Sequence, residues 1–436
     1  MKLMLLVPGT GNFYCGSCLR DGWLGSALRK LGHEVVIVPL YLPLVLEEPM
    51  DRQQIRMGGI NMYLQQKSAL LRHLPRWIAN LLDKQGLLRW VARRSKLTEA
   101  PDLGPMTVSM LKGKDGRQST EIRKLAEWAA TSHQPDVVVL SNAMLCGAAK
   151  AIKQALQRPV ITTLQGEAPF LDTLPSPFSG QAWEELRRCA ADIDAFVPVS
   201  HSYGETMRVK LGVADDRFHV IHNGLDLDGF EDDPPSIRER NPKTIGYLAR
   251  MCRDKGVDTL IEAVSLLKEK GSIPDLRLSI AGTMLNEDRP LMEELRGVIR
   301  ARGWEQDIEL LPNIDRAQKL AFLSTLSVLS VPATYGESFG LYLLEAMAAG
   351  VPVVQPRHGA FPEILEATGG GILCDPDDPE ALAQGLETLL LDETRSQELA
   401  QHGRRAVLER FTAERMARQF EKVCQATLRE RPVDTP

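Results

Sequence analysis

Short runs rich in Val, Ile and Leu alternate along the whole chain with longer stretches whose apolar residues recur at helical spacing. That alternation is the signature of βαβ units and a parallel sheet covered by helices on both faces. The strand-like runs fall near residues 2–7, 34–39, 136–140, 159–163, 194–199 and 218–221, and again near 244–248, 276–281, 308–311, 326–331, 351–355 and 371–373. A chain of 436 residues is too long for one ordinary core, and 44% apolar content is ample for two. The expected fold class is therefore α/β, with two Rossmann-like doubly wound domains. HNGLDLDGFEDDPPSIRERNPK, with its Asn-Gly and Pro-Pro, reads as the linker. It divides an N-terminal domain (1–222, with a helical insertion at about 45–130) from a second domain (223–411), followed by a last helix in 412–436.

Composition removes several classes. A net charge of −5 gives no reason to expect nucleic acid. No apolar stretch approaches the roughly 18 residues that cross a bilayer. The apolar run after Lys2 is too short for a signal peptide. Seven scattered cysteines, an odd number, point to reduced thiols and a cytoplasmic location. Cys15 and Cys18 form a C-x-x-C, but no second such pair and no His pair stands nearby, so they read first as small residues lining a ligand loop, with a regulatory disulfide and a zinc site as the lesser readings.

Chemistry concentrates in YGESFGLYLLEAMAAGVPVV. Glu337 and Glu345 stand eight positions apart around a Ser338-Phe339-Gly340-Leu341 turn, ahead of an apolar strand. A helix beginning near Phe339 would put its unpaired first amides beside Glu337 and Glu345 on its second turn. One carboxylate at the mouth and one along the helix suit a polyhydroxylated ligand that also carries phosphate. In TIGYLARMCRDKGVDTLIEAVSLLKEK, a strand leads into a loop holding Arg250 and Lys255. A helix from about Gly256 follows, with Val257, Leu260, Ile261, Val264 and Leu267 on one face. Both cations then lie at the carboxyl end of a parallel strand, where open α/β sheets bind ligands. A planar fork and a point charge together suit a diphosphate.

These four residues in this order resemble the retaining nucleotide-sugar glycosyltransferases of glycosyltransferase family 4, whose E-x7-E signature the first segment fits. The resemblance covers nearly the whole chain. It implies a GT-B fold, with two Rossmann-like domains facing a deep interdomain cleft. It implies transfer of a sugar, by inference a hexose, from a nucleoside-diphosphate donor to an acceptor hydroxyl with retention of configuration. The acceptor would be a glycan, a lipid-linked sugar or a small metabolite. Arg250 and Lys255 would grip the diphosphate, Glu337 would hold sugar hydroxyls, and Glu345 would bind the ribose. Ser338, Phe339, Gly340 and Leu341 would line the same pocket. No metal or other cofactor is expected, since two cations already meet the diphosphate.

Two departures from the family pattern stand out. Of the glycine pair in the first loop, Gly16 is kept and Cys15 replaces the other; the Gly16 amide would approach the donor phosphate. Where the family has a His-Gly or His-Asp pair after the strand VITTL, this chain has Gln165-Gly166-Glu167. Gln165 cannot take a proton at neutral pH, and Glu167 is a candidate base or acceptor-positioning group against the plainer reading of a solvated loop residue. His201, His222 and His358 read as structural or carry no assigned chemistry.

Lys67–Lys96 holds eight basic residues and one acid among Trp and Leu, a charge of +7 within a chain of −5. It reads either as a helical cover over the domain or as a basic surface for an anionic membrane. Two other function classes stay open: a nucleotide-sugar 2-epimerase, which would need further acids or bases, and a non-catalytic nucleotide-sugar-binding protein on the same fold.

Overall fold

The structure, a computed structural model, describes residues 1–9, 16–40, 100–230, 232–234, 236–237, 240 and 243–429. It divides into two units, Met1–Gly224 with Glu414–Pro436, and Leu225–Ala413. Cys15, the Lys67–Lys96 segment and much of the expected insertion lie outside the described residues.

The first unit runs β1 (Lys2–Val7), α1 (Gly16–Lys30), β2 (Glu34–Pro39), α2 (Ala100–Leu111), α3 (Ser119–Trp128), β3 (Val137–Leu140), α4 (Ala149–Leu156), β4 (Val160–Leu164), α5 (Ala168–Asp172), α6 (Phe178–Cys189), β5 (Ala195–Pro198) and α7 (His201–Leu211). Its five strands are all parallel, in the order β2-β1-β3-β4-β5. The order reverses at β1, which makes the carboxyl ends of β1 and β3 a topological switch point. Residues 218–221, expected as a strand, make only a single bridge from Phe218 to Phe196. His219 and Ile221 donate to the carbonyls of Phe196 and Pro198, but Pro198 has no N–H to return and the ladder stops there.

The second unit runs β6 (Thr244–Leu248), α8 (Val257–Lys270), β7 (Arg277–Gly282), α9 (Arg289–Ala301), β8 (Ile308–Pro312), α10 (Arg316–Thr325), β9 (Val328–Leu329), α11 (Leu341–Ala348), β10 (Val353–Pro356), α12 (Phe361–Thr368), β11 (Gly371–Cys374), α13 (Pro379–Leu391) and α14 (Glu393–Arg410). Its six parallel strands take the order β11-β10-β9-β6-β7-β8, reversing at β6 and β9. The expected face of α8 is the one that packs: Val257, Leu260, Ile261, Val264 and Leu267 are all buried. Each such side chain contributes about 1.5–3 kcal/mol of burial before ordering costs.

The last helix, α15 (Ala413–Arg429), packs on the first unit. The Gly224 amide meets Met416 Sδ at 3.3 Å, and His33 Nε2 lies 3.1 Å from Glu421. Within the second unit, Leu225 is bonded on both sides of Thr412, donating to the Phe411 carbonyl and accepting from the Ala413 amide.

Candidate functional site

The carboxyl ends of β6, β7 and β9 carry most of the residues singled out in the second unit. Arg250 follows β6, and its backbone carbonyl accepts a 2.6 Å hydrogen bond from the buried Tyr247 hydroxyl. Its guanidinium meets Asp288 with Nε at 3.0 Å and Nη2 at 2.8 Å, and also pairs with Glu287. Asp288 is buried and accepts from the Leu285 amide at 2.8 Å, whereas the Glu287 side chain is 70% exposed. The hydrogen bond to Asp288 is the main cause that drives the Arg250 pKa still higher. One carboxylate thus orients the fork, and the other is a solvent-side partner.

Lys255 closes a short 3-10 turn, Arg253–Lys255, ahead of α8. Its ammonium bonds to Glu337 Oε2 and lies 4.9 Å from the centre of the Tyr335 ring. Burial is the largest single influence on this lysine and lowers its pKa. The Glu337 charge, Tyr335 and the hydrogen bonds to both together outweigh burial, so the net shift is upward. The Tyr342 hydroxyl donates to the same Glu337 oxygen at 3.1 Å. Burial first, then the Glu337 charge, raises the pKa of Tyr342 and of Tyr335.

The Glu337 backbone is held just as closely. Its carbonyl accepts from the Ala360 amide at 2.9 Å. Gly359 has φ +56°, and a Cβ there would stand 2.5 Å from the Glu337 nitrogen. No side chain fits. His358 Nε2 lies 2.7 Å from the Ala333 carbonyl, so it supports this loop.

The helix expected from Phe339 begins at Leu341, because Gly340 takes a left-handed φ of +87° that α-helix excludes. Ser338 and Phe339 are buried beneath the turn. Glu345 remains on the second turn, and its Oε1 accepts from Lys319 Nζ on α10. Among the described residues, no hydrogen bond reaches Glu337 Oε1 or Glu345 Oε2. Neither oxygen is among the polar atoms sealed from solvent without a partner. Both glutamates are therefore anchored by one oxygen and open at the other. Sequence spacing did not single out Asp288, Tyr335, Tyr342 or Lys319.

In the first unit, Gly16 is the exposed first residue of α1. Gln165 Nε2 donates to the Ser141 carbonyl at 2.7 Å and to Asp21 Oδ1 at 3.1 Å. Asp21 is buried beside Arg20, which bonds it at 3.0 Å, and burial raises the Asp21 pKa. Glu167 is neither solvated nor open. Its Oε1 accepts from the Ala143 amide at 2.9 Å; Oε2 accepts from the Gln165 and Gly166 amides at 3.0 Å and from the Tyr203 hydroxyl at 2.8 Å. His201 opens α7, with its ring 6.0 Å from that of His222. Among the described residues, no three His, Cys, Asp or Glu side chains gather as a metal-ligand set. No described helix is long and apolar enough to cross a membrane.

The fold and these residues define a two-unit α/β protein of the GT-B kind. It superposes on Anabaena HepE, solved with UDP, at a TM-score of 0.68 and 18% identity, over 98% of this chain and 100% of that one. For the sucrose-phosphate synthase of Thermosynechococcus elongatus the TM-score is 0.71 at 18% identity, over 99% and 100%. The sequence profile described as Glycosyl transferases group 1 matches residues 230–406, and that of Glycosyltransferase Family 4 matches residues 91–228. The chain belongs to glycosyltransferase family 4. It is 31% identical over 270 residues to a D-inositol 3-phosphate glycosyltransferase of Xylanimonas cellulosilytica, covering 59% of this chain and 62% of that one. An exopolysaccharide phosphotransferase of Streptomyces coelicolor is 32% identical over 255 residues, 57% of this chain and 25% of that one. The chain thus spans between a quarter and about three fifths of the length of these curated relatives.

Proposed function

We propose that the protein transfers a hexose from a nucleoside-diphosphate sugar to an acceptor hydroxyl with retention of configuration. The observation that carries this is the pair of half-anchored glutamates beside two oriented cations at one sheet edge. Arg250 and Lys255 receive the diphosphate and stabilise the charge that grows on it as the glycosidic bond breaks. The helix start at Gly340–Leu341 adds its amides. Glu337 Oε1 takes sugar hydroxyls and Glu345 Oε2 takes the ribose, so both serve as binding groups rather than as a hydrolase acid and nucleophile. The acceptor attacks on the leaving-group face, and a phosphate oxygen takes its proton. With two cations on the diphosphate, the chemistry asks for no divalent ion.

On the first unit, Gly16 as a phosphate contact rests on the family resemblance. Gln165 would bind the acceptor by hydrogen bonds, and Glu167 would shape that loop rather than move a proton. The Lys67–Lys96 segment would bring a cytoplasmic protein to an anionic membrane surface, which flotation with anionic vesicles at low salt tests.

Thermal stabilisation by UDP, GDP, ADP and their sugar conjugates tests the donor proposal. UDP leads the panel because HepE was solved with it. A shift with one nucleotide family supports donor binding and names the base. No shift with any of them, in folded protein, overturns it.

A further inference from the structure

Glu345 owes its orientation to a residue outside the E-x7-E segment. Lys319 Nζ sits 2.5 Å from Glu345 Oε1, with the two side chains only 13% and 9% exposed. The lysine comes from α10 and the glutamate from α11, so the contact joins two helices across the edge of one site. A lone glutamate on a helix turns about three side-chain bonds, and a ligand would have to freeze them. Here the fold has already done so, which is how preorganisation raises affinity. The ammonium occupies Oε1, leaving Oε2 accessible and without a hydrogen bond. An acceptor-only oxygen fixed in place is what a hydroxyl donor needs.

We propose that Lys319 is a positioning residue that makes the site discriminate ribose from deoxyribose. It commits Glu345 Oε1 so that Oε2 accepts from a ribose hydroxyl of the donor nucleotide. This rests on the donor-binding proposal above. On this proposal Lys319 acts through Glu345, and the pyrophosphate arm below separates that role from a direct phosphate contact.

Calorimetry would compare wild type, Lys319→Met, Lys319→Arg and Glu345→Gln. The ligands are whichever of UDP, GDP or ADP binds wild type, its 2′-deoxy and 3′-deoxy analogues, and inorganic pyrophosphate. A hydrogen bond to a charged acceptor sets the scale, so wild type should prefer the ribonucleotide over at least one deoxy analogue by about tenfold or more. Lys319→Met should reduce that preference to about threefold or less by weakening the ribonucleotide alone, with Lys319→Arg restoring part of it. Deoxynucleotide and pyrophosphate affinities should stay within about twofold. The double variant Lys319→Met with Glu345→Gln removes both charges together and guards against misfolding of the single one; it too should lose discrimination.

An equal loss for ribonucleotide, deoxynucleotide and pyrophosphate would overturn the proposal and make Lys319 a phosphate contact or a mere support. Unchanged discrimination in a folded variant would overturn it as well, leaving donor binding intact. If wild type binds none of the three nucleotides, it is the donor proposal that fails, and this inference with it.

Discussion

Glu167 in the first unit and Glu337 and Glu345 in the second are all buried glutamates beyond the carboxyl ends of parallel strands, yet they are bonded in opposite ways. Glu167 spends both oxygens on three backbone amides and a tyrosine hydroxyl. The other two each give one oxygen to a lysine and keep the second open. A carboxylate whose acceptor capacity is filled by the fold is a structural part. One held by a single oxygen is oriented without being used up, which is the condition for binding a ligand. Burial and residue type are the same in the two cases; the count of partners separates them.

Mutation offers the widest separation. Lys255→Ala and Glu337→Ala should each lower kcat/KM by about 10³-fold or more while the protein still melts cooperatively, since under the proposed function they remove groups that would face developing charge and the sugar. A folded variant that turned over normally would break the assignment. Glu167→Ala should do the reverse. It strands four donors, so it should cost about 3 kcal/mol or more of stability and lower the melting temperature, while diphosphate affinity changes by less than about twofold. Loss of affinity without loss of stability would return Glu167 to the ligand.

Glu287→Gln sharpens the contrast within one cluster. Glu287 pairs with Arg250 from the solvent side and would compete there with the proposed diphosphate; exposed pairs are worth about 0.2–1 kcal/mol. Titration should show affinity rising by up to about fivefold, whereas Asp288→Asn, which loosens the orienting carboxylate, should lower it.

The smallest expected effect is with pH. The Lys255 pKa is raised above the ordinary 10.5. Its stabilising charge is therefore fully present below 10.5 and is lost only as pH climbs through the higher folded value. Diphosphate affinity should change by less than about twofold between pH 7.5 and about 9.5. A fall with an apparent pKa below 10 would show that Glu337 does not hold the ammonium as described.

The strand alternation and the α8 face were legible because each depends on neighbours in the chain, and the same local spacing singles out the four residues proposed for the donor. What holds those residues was not. Asp288 lies 38 positions after Arg250, and Lys319 lies 26 before Glu345. Such pairs exist only once the order β9-β6-β7 has put distant loops side by side. The bonding of Glu167 is hidden from the sequence for the same reason: its partners Ala143 and Tyr203 come from the loop after β3 and from α7. α11 starts two residues later than its sequence suggests because a glycine can either join a helix or stop one. Only its φ decides.

The backbone rungs joining Leu225 to Phe411 and Ala413 have a practical consequence. The entry and exit of the second unit are neighbours, so the unit behaves as a cassette with both ends at one socket. Domains built this way accept excision and insertion well. Expression of residues 225–413 alone, or their exchange between relatives, should therefore need no new linker, and a chimera would test which unit carries the choice of donor and which the choice of acceptor.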